Sequence, residues 1–204
     1  MSLPESDRSW RERCQSQFGA RPIVDVPAFV RRGDVVVGAV AASSFKRLTL
    51  DLPTQPIVRA DLGLDPDQPG VVWFEFSGAS QDGRRDRVWL KVQAILTLAC
   101  QRCMGEMQLA VDEMASFVCY RTEADALSAV QDEDDPSAPE PLVVQEPVDI
   151  LELVQDQLIL ALPYVPKHDA CEPAATSAGE PIVDEPRESP FKALNALKGL
   201  KTKG

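Results

Sequence analysis

The stretch from Arg87 to Tyr120 constrains the fold of this chain more than any other part of the sequence. In its first half, apolar residues occupy every second position across 88–98. A period of two predicts a β-strand with one buried face. The same alternation returns over 107–119, and Glu113 interrupts it, which predicts a β-bulge across 112–114. The stretch therefore predicts two long strands that form a hairpin.

The turn between these strands reads Cys-Gln-Arg-Cys-Met-Gly, from Cys100 to Gly105. Two cysteines separated by two residues and followed by glycine are typical of a zinc knuckle, because the glycine backbone lets nearby amides approach the sulfurs. A second pair, His168 and Cys171, follows a segment that reads as a helix ending at a proline. Three thiolates and one imidazole complete a tetrahedral site. We therefore predict one structural zinc ion, held by Cys100, Cys103, His168 and Cys171.

Other interpretations of these cysteines remain open at this point. Cys100 can be a small apolar residue of the inward strand face, with the other three residues simply exposed. A redox Cys-x-x-Cys pair is a further alternative, but the sequence lacks the strand-to-helix context of thioredoxin-like motifs. Cys119 has the inward phase of its strand and Cys14 lies in a polar N-terminal stretch, so we predict that neither is a ligand.

The remaining patterns predict an α+β fold. Segments 57–62 and 71–77 read as strands, and together with the hairpin they predict an antiparallel β-meander of about four strands. Apolar residues at helical spacing over 148–162 predict an amphipathic helix packed on the sheet. Residues 23–172 thus form one predicted domain.

Three segments read as flexible on composition. Residues 1–22 are polar and predict a loose N-terminal segment, and 173–204 predict a flexible linker followed by a basic C-terminal tail. Between 122 and 157 there are eleven acidic residues and no lysine or arginine, so we predict a disordered acidic loop over 122–146.

Charge and cysteine content limit the class of protein. The net charge of −11 argues against non-specific binding to nucleic acid, DNA included, because such binding depends on neutralising phosphates. No apolar run approaches the roughly 20 residues that span a bilayer, and the first residues lack the apolar core of a signal peptide. Five cysteines without framework spacing indicate reduced thiols or metal ligands. We therefore expect a cytoplasmic protein with no membrane partner.

Two charged surfaces are candidates for binding. The first is cationic and contains an aromatic residue, a combination that suits phosphate contact and base stacking in RNA. It consists of Arg84, Arg85, Arg87, Trp89, Lys91 and Arg102. The second is the acidic face of the predicted helix, formed by Asp149, Glu152 and Asp156, which suits a basic protein partner. For both surfaces the alternative is a solvated face without a binding role.

The order of four motifs resembles that of the YceD family, bacterial proteins described as large ribosomal RNA subunit accumulation proteins. The motifs are CQRC at 100–103, DILELVQDQLILALP at 149–163, PKHDAC at 166–171 and PFKAL at 190–194. The resemblance covers roughly Phe45 to Lys201. Members often have Glu where Gln157 stands and Asn where Ser189 stands, and neither departure touches the cysteines.

The resemblance implies a non-enzymatic accessory factor in large ribosomal subunit biogenesis that promotes accumulation of 23S rRNA. The implied partners are large-subunit rRNA or its precursor and a basic large-subunit ribosomal protein. One alternative is a zinc-stabilised structural adaptor that binds proteins without RNA contact. Another is an enzyme, a nuclease or thiol oxidoreductase, and the lack of a second reactive group near the single histidine argues against it.

Overall fold

The computed structural model describes residues 5–65, 67–80, 85–129 and 139–173 of the 204-residue chain. The chain divides into two compact units, Met1–Glu172 and Pro173–Gly204, and all described helices and strands belong to the first. Arg84, the middle of the predicted acidic loop and the predicted basic tail lie outside the described residues. No helix within the described ranges is long and apolar enough to cross a bilayer.

Within the described ranges, a five-stranded sheet forms the centre of the first unit, in the order β2-β3-β4-β5-β6. These strands are β2 Val35–Ala41, β3 Val71–Ala79, β4 Arg87–Ala99, β5 Glu106–Tyr120 and β6 Glu140–Val143. The first four are antiparallel neighbours, and β6 is parallel to β5. Two short strands, β1 Ile23–Val24 and β7 Val148–Asp149, pair separately. The helices are α1 Glu5–Gln15, α2 Val26–Arg32, α3 Glu123–Ala129 and α4 Ile150–Ala161. The α+β class and the antiparallel meander are confirmed.

The β4–β5 hairpin spans the predicted stretch and is more regular than the sequence predicted. Every residue of β4 pairs with one residue of β5 in a single register, so the predicted bulge is wrong. Glu113 pairs with Val92 and keeps the inward phase. Its side chain is nevertheless exposed.

Helix α4 packs on one face of the sheet, which we call the inner face. Ile150, Val154 and Leu158 are fully buried there in the main hydrophobic core. The predicted start at residue 148 is wrong by two residues, because 148–149 form β7 instead. Asp149 then caps the helix, since its carboxylate accepts a hydrogen bond of 2.9 Å from the amide of Leu151.

Helix α1 packs on the opposite face of the sheet, the outer face, and corrects the prediction of a loose segment over 1–22. Its Trp10 and Cys14 are buried in a second hydrophobic cluster that includes Val71 and Trp73. These two residues lie four positions apart, so they share one helix face. These two residues are the apolar contacts of α1 with the sheet, and the other residues of the helix are polar.

The first strand of the sheet is β2, and the predicted strand over 57–62 is wrong, since residues 60–62 form a 3-10 turn. A Cβ atom at Gly38 would lie 2.4 Å from the ring of Phe74, so glycine at this position leaves room for the ring of its cross-strand partner. Ala39 packs in the outer cluster and Val40 in the inner core. Both faces of β2 are therefore covered, which explains its continuous apolar sequence.

Part of the predicted acidic loop over 122–146 has regular structure. Residues 123–129 form α3, in which Ala126 is buried, and 140–143 form β6, which adds a parallel strand to the sheet. The loop prediction is therefore wrong for these two segments. Residues 130–138 lie outside the described ranges.

Candidate metal centre

The turn between β4 and β5 holds two of the predicted ligands in a fixed backbone conformation. The amide of Cys100 donates to the carbonyl of Gly105 at 2.8 Å, and the amide of Met104 donates to the carbonyl of Cys100 at 2.9 Å. Met104 adopts a positive φ of 60°, which turns the chain sharply before Gly105. Cys100 and Cys103 therefore leave the same tight turn.

The other two ligands reach this turn on the segment that follows α4. The amide of Gln101 donates to the carbonyl of Pro166 at 2.8 Å, and the Arg102 guanidinium lies 3.3 Å from the carbonyl of Cys171. These contacts hold the segment against the hairpin tip on both sides of His168. Although 65 residues separate Cys103 from His168 in the sequence, the fold brings them together.

The four ligand atoms lie within 4.8 Å of one another. The Cys100 and Cys171 sulfurs are 3.7 Å apart, and the Cys103 sulfur is 3.4 Å from Nδ1 of His168. In a tetrahedral zinc site with bonds of about 2.3 Å, neighbouring ligand atoms are separated by about 3.8 Å. The geometry therefore fits a metal ion held by three sulfurs and one nitrogen.

Backbone amides favour a thiolate at Cys100. The pKa of this thiol is lowered to about 5, chiefly by the amide of Cys103 and further by the amides of His168 and Arg102. Burial raises the pKa of Cys171, and hydrogen bonds and charge repulsion from Cys100 and Cys103 raise it further. The site thus supplies a thiolate at Cys100 near neutral pH, and metal binding would favour loss of the thiol proton of Cys171.

The histidine ring is oriented by a second contact. Its Nε2 lies 3.1 Å from the carbonyl oxygen of Glu106 while Nδ1 faces Cys103. When Nε2–H donates to that carbonyl, Nδ1 keeps its lone pair for a metal.

The part of the chain that contains the candidate metal centre is similar in sequence to known proteins. The family described as "Large ribosomal RNA subunit accumulation protein YceD" matches residues 88–201, more than half of the chain. The chain belongs to the YceD family. A relative of that name from Haemophilus influenzae is 32% identical over 115 residues, which cover 53% of this chain and 63% of the relative. The match thus spans less than two thirds of that relative, and no solved structure matches the chain.

The YceD match covers β4 through α4 and includes all four candidate ligands. Helix α1, helix α2 and strand β2 precede the matched residues. The outer hydrophobic cluster built around Trp10 therefore lies entirely outside the region that this chain shares with the family.

The predicted RNA-binding residues do not form one continuous surface. Arg87, Trp89 and Lys91 share the outer face of β4 with Gln93, which bonds to Arg11 of α1 at 2.8 Å. Lys91 lies over the ring of Trp10 at 4.5 Å. The predicted cationic surface also included Arg85 and Arg102, which the fold places away from this row.

The remaining two described members of that set lie apart from this row. Arg85 stacks over the ring of Tyr120 at 4.5 Å. Arg102 lies at the hairpin tip, one thirteen-residue strand and thus about 40 Å from Arg87. Within the family region, Arg102 instead supports the metal centre through its contact with Cys171.

The predicted acidic partner face carries internal ion pairs. Arg47 lies 2.8 Å from both Glu152 and Asp156, and Arg21 lies 3.1 Å from Asp149. These pairs fasten α4 to the segments before and after β2. Sequence analysis missed both arginines, because neither is close to α4 in the sequence.

Cysteine reactivity provides a test of this arrangement. Cys14 and Cys119 are buried, and burial raises the pKa of each thiol to about 11. At pH 8 both therefore remain protonated, and iodoacetamide should modify neither in the folded, metal-free protein. Cys103 is partly exposed and should react, whereas Cys171, which is also partly exposed, should react more slowly because its pKa is raised. Peptide mass spectrometry checks this, with urea-unfolded protein as the control in which all five react. Rapid modification of Cys14 in the folded chain would contradict the packing of α1.

Proposed function

We propose that this protein is a zinc-stabilised accessory factor that promotes accumulation of large-subunit 23S rRNA by binding a ribosomal partner. The relative's name describes large ribosomal RNA subunit accumulation, and the two chains share 32% identity over the aligned part. The geometric support is the set of four protein ligands, which fills a tetrahedral coordination sphere. Catalytic zinc sites instead keep one position open for water or substrate. The proposed role is therefore binding rather than catalysis, in the cytoplasm.

The proposed zinc ion fastens the segment after α4 to the hairpin tip. Cys100 and Cys103 belong to the hairpin, and His168 and Cys171 belong to the segment after α4. The ion would therefore cross-link two parts of the fold that are far apart in the sequence. Such a link stabilises the surface around the tip for a partner.

The proposed partners are large-subunit rRNA or its precursor and a basic large-subunit ribosomal protein. Protein contact alone is the second candidate, because the fold disperses the basic residues and the net charge is −11. The outer row of Arg87, Trp89 and Lys91 remains the proposed site for RNA. The acidic α4 face remains a proposed protein contact, although it would have to exchange its pairs with Arg21 and Arg47.

A deletion strain tests the proposed function. Loss of the gene should lower 23S rRNA relative to 16S rRNA, and the wild-type chain should restore the ratio. Cys103→Ser should restore it poorly, whereas Cys119→Ala, which removes a cysteine outside the site, should restore it fully. An unchanged ratio in the deletion strain would overturn the proposal.

An electrophoretic shift with 23S rRNA that Arg87→Glu weakens would separate direct RNA binding from protein contact alone.

A further inference from the structure

We infer that the outer edge of β5, over residues 106–116, binds an extended basic segment of a partner protein as an added β-strand. This inference deepens the proposed function, since it rests on a binding role and specifies the protein partner's chemistry. It concerns a backbone edge of the sheet, separate from the acidic face of α4.

The edge is long and open along most of its length. Strand β5 has fifteen residues, and among the described residues only β6 pairs with its outer edge, at Phe117–Tyr120. At the other end of the edge, the His168 ring lies at the carbonyl of Glu106. The side chains at 108, 110, 112, 113 and 114 are exposed. An edge of this kind presents outward amides and carbonyls that a further strand can pair with.

The opposite edge of the same hairpin shows how such groups are satisfied when the fold covers them. Past Val71, where β3 begins, the side chain of Gln55 accepts from the amide of Thr97 at 3.0 Å and donates to its carbonyl at 2.8 Å. Gln55 is buried and thus acts as a short substitute for a neighbouring strand. Along the outer edge of β5, the described residues offer comparable contacts only at the two ends, from the His168 ring at Glu106 and from β6 at Phe117–Tyr120. The described residues therefore satisfy the backbone groups at Thr97 on one edge of the hairpin, but leave most of the outer edge of β5 without such contacts.

Charge identifies the kind of strand that fits. Strand β5 contains Glu106, Asp112 and Glu113 and no lysine or arginine. Asp112 pairs with Gln93 on the outer face, and Glu113 pairs with Val92 on the inner face, so carboxylates flank the edge on both sides. A basic strand places opposite charges across the new pair on either face. RNA phosphates would be repelled, and so would a second copy of this edge.

The test uses the zinc-loaded full chain and a synthetic peptide of alternating lysine and threonine, about twelve residues long, which suits an extended strand. In amide hydrogen exchange followed by NMR, peptide binding should slow exchange at alternate residues over 106–116, whose amides point away from β4. A peptide of alternating glutamate and threonine is the control and should leave exchange unchanged. Binding of the lysine peptide without this alternating protection would overturn the inference.

Charge reversal supplies a matched comparison. Glu106→Lys with Glu113→Lys should weaken lysine-peptide binding at least about tenfold. Asp51→Lys with Glu146→Lys makes the same change in net charge at exposed positions outside β5 and should weaken it far less. Equal effects from both pairs would overturn the inference, and so would a dimer, seen by sedimentation, that buries this edge.

These outcomes separate the inference from the proposed function. If the edge variant restores the 23S rRNA ratio in the deletion strain as well as the wild-type chain does, the edge is not the functional contact and the rRNA role stands. If the deletion strain shows no defect, the rRNA role fails. Alternating protection by the lysine peptide would then still establish the edge as a strand-binding site.

Discussion

Replacing Cys103 with serine should abolish zinc binding at the proposed site and lower the melting temperature by about 10 °C in zinc-containing buffer. A metal present at about 1,000 times its dissociation constant stabilises the folded state by about 4 kcal/mol. For a domain of this size each kcal/mol corresponds to about 2–4 °C. Atomic absorption on the purified protein and thermal unfolding followed by circular dichroism measure the two effects. His168→Ala should behave in the same way, because it removes the nitrogen ligand at the other end of the site.

The control for this experiment is Cys119→Ala, which removes a thiol from the strand interior. That variant should keep about one equivalent of zinc, since Cys119 is outside the ligand cluster. A chelator should lower the melting temperature of the wild-type chain and of Cys119→Ala, but not that of Cys103→Ser. Metal-free wild-type protein purified without chelators, with the same stability as Cys103→Ser, would rule out the zinc site.

Leu158→Ala should lower the free energy of unfolding by about 3 kcal/mol, within the range for buried leucines. Leu158 is fully buried where α4 packs on the inner face of the sheet. Its removal leaves a cavity between the helix and the sheet that the neighbouring residues only partly fill. Urea unfolding, compared with the wild-type chain under the same metal conditions, measures the difference.

The same helix supplies the matched control. Leu160 is 71% exposed, so Leu160→Ala should change the free energy of unfolding by less than about 0.5 kcal/mol. Equal losses from the two substitutions would contradict the packing of α4. Because α4 leads into the segment with His168, Leu158→Ala should also weaken metal binding, which competition with a zinc indicator dye measures.

The hairpin and α4 could be predicted because each has one buried face. Alternation over 88–98 and helical spacing over 148–162 are local signals, and both record which side chains point into the core. The start of α4 was harder to predict, because the pairing of β7 with β1 decides it. That pairing joins residues 23–24 to 148–149, and no local pattern reports it.

Helix α1 and strand β2 were missed for a related reason. In α1 only Trp10 and Cys14 are anchored in the outer cluster, so the apolar stripe is too sparse to stand out. In β2 both faces are covered, so the alternation that marks a strand disappears. The structure that each segment adopts thus depends on the residues that pack against it.

The ligands of the candidate metal centre could be predicted because their residue types are chemically restrictive. Thiol and imidazole side chains are rare in this chain, and their pairs have recognisable spacings. The charged surfaces were not predictable in this way. The sequence placed Lys91 and Glu152 on the correct faces of their elements, but not their contacts with Trp10 and Arg47, which come from distant segments.

The separation of the two ligand pairs has a consequence for the kinetics of folding. The β4–β5 hairpin forms between neighbouring segments, whereas the contact between Cys103 and His168 closes a loop across 65 residues. Contacts that close long loops tend to form late, so the ion should bind after the transition state for folding. Interactions absent from the transition state slow unfolding and leave the folding rate nearly unchanged. Zinc should therefore lengthen the lifetime of the folded chain. The ion would bind in the last step of folding and would be released in the first step of unfolding.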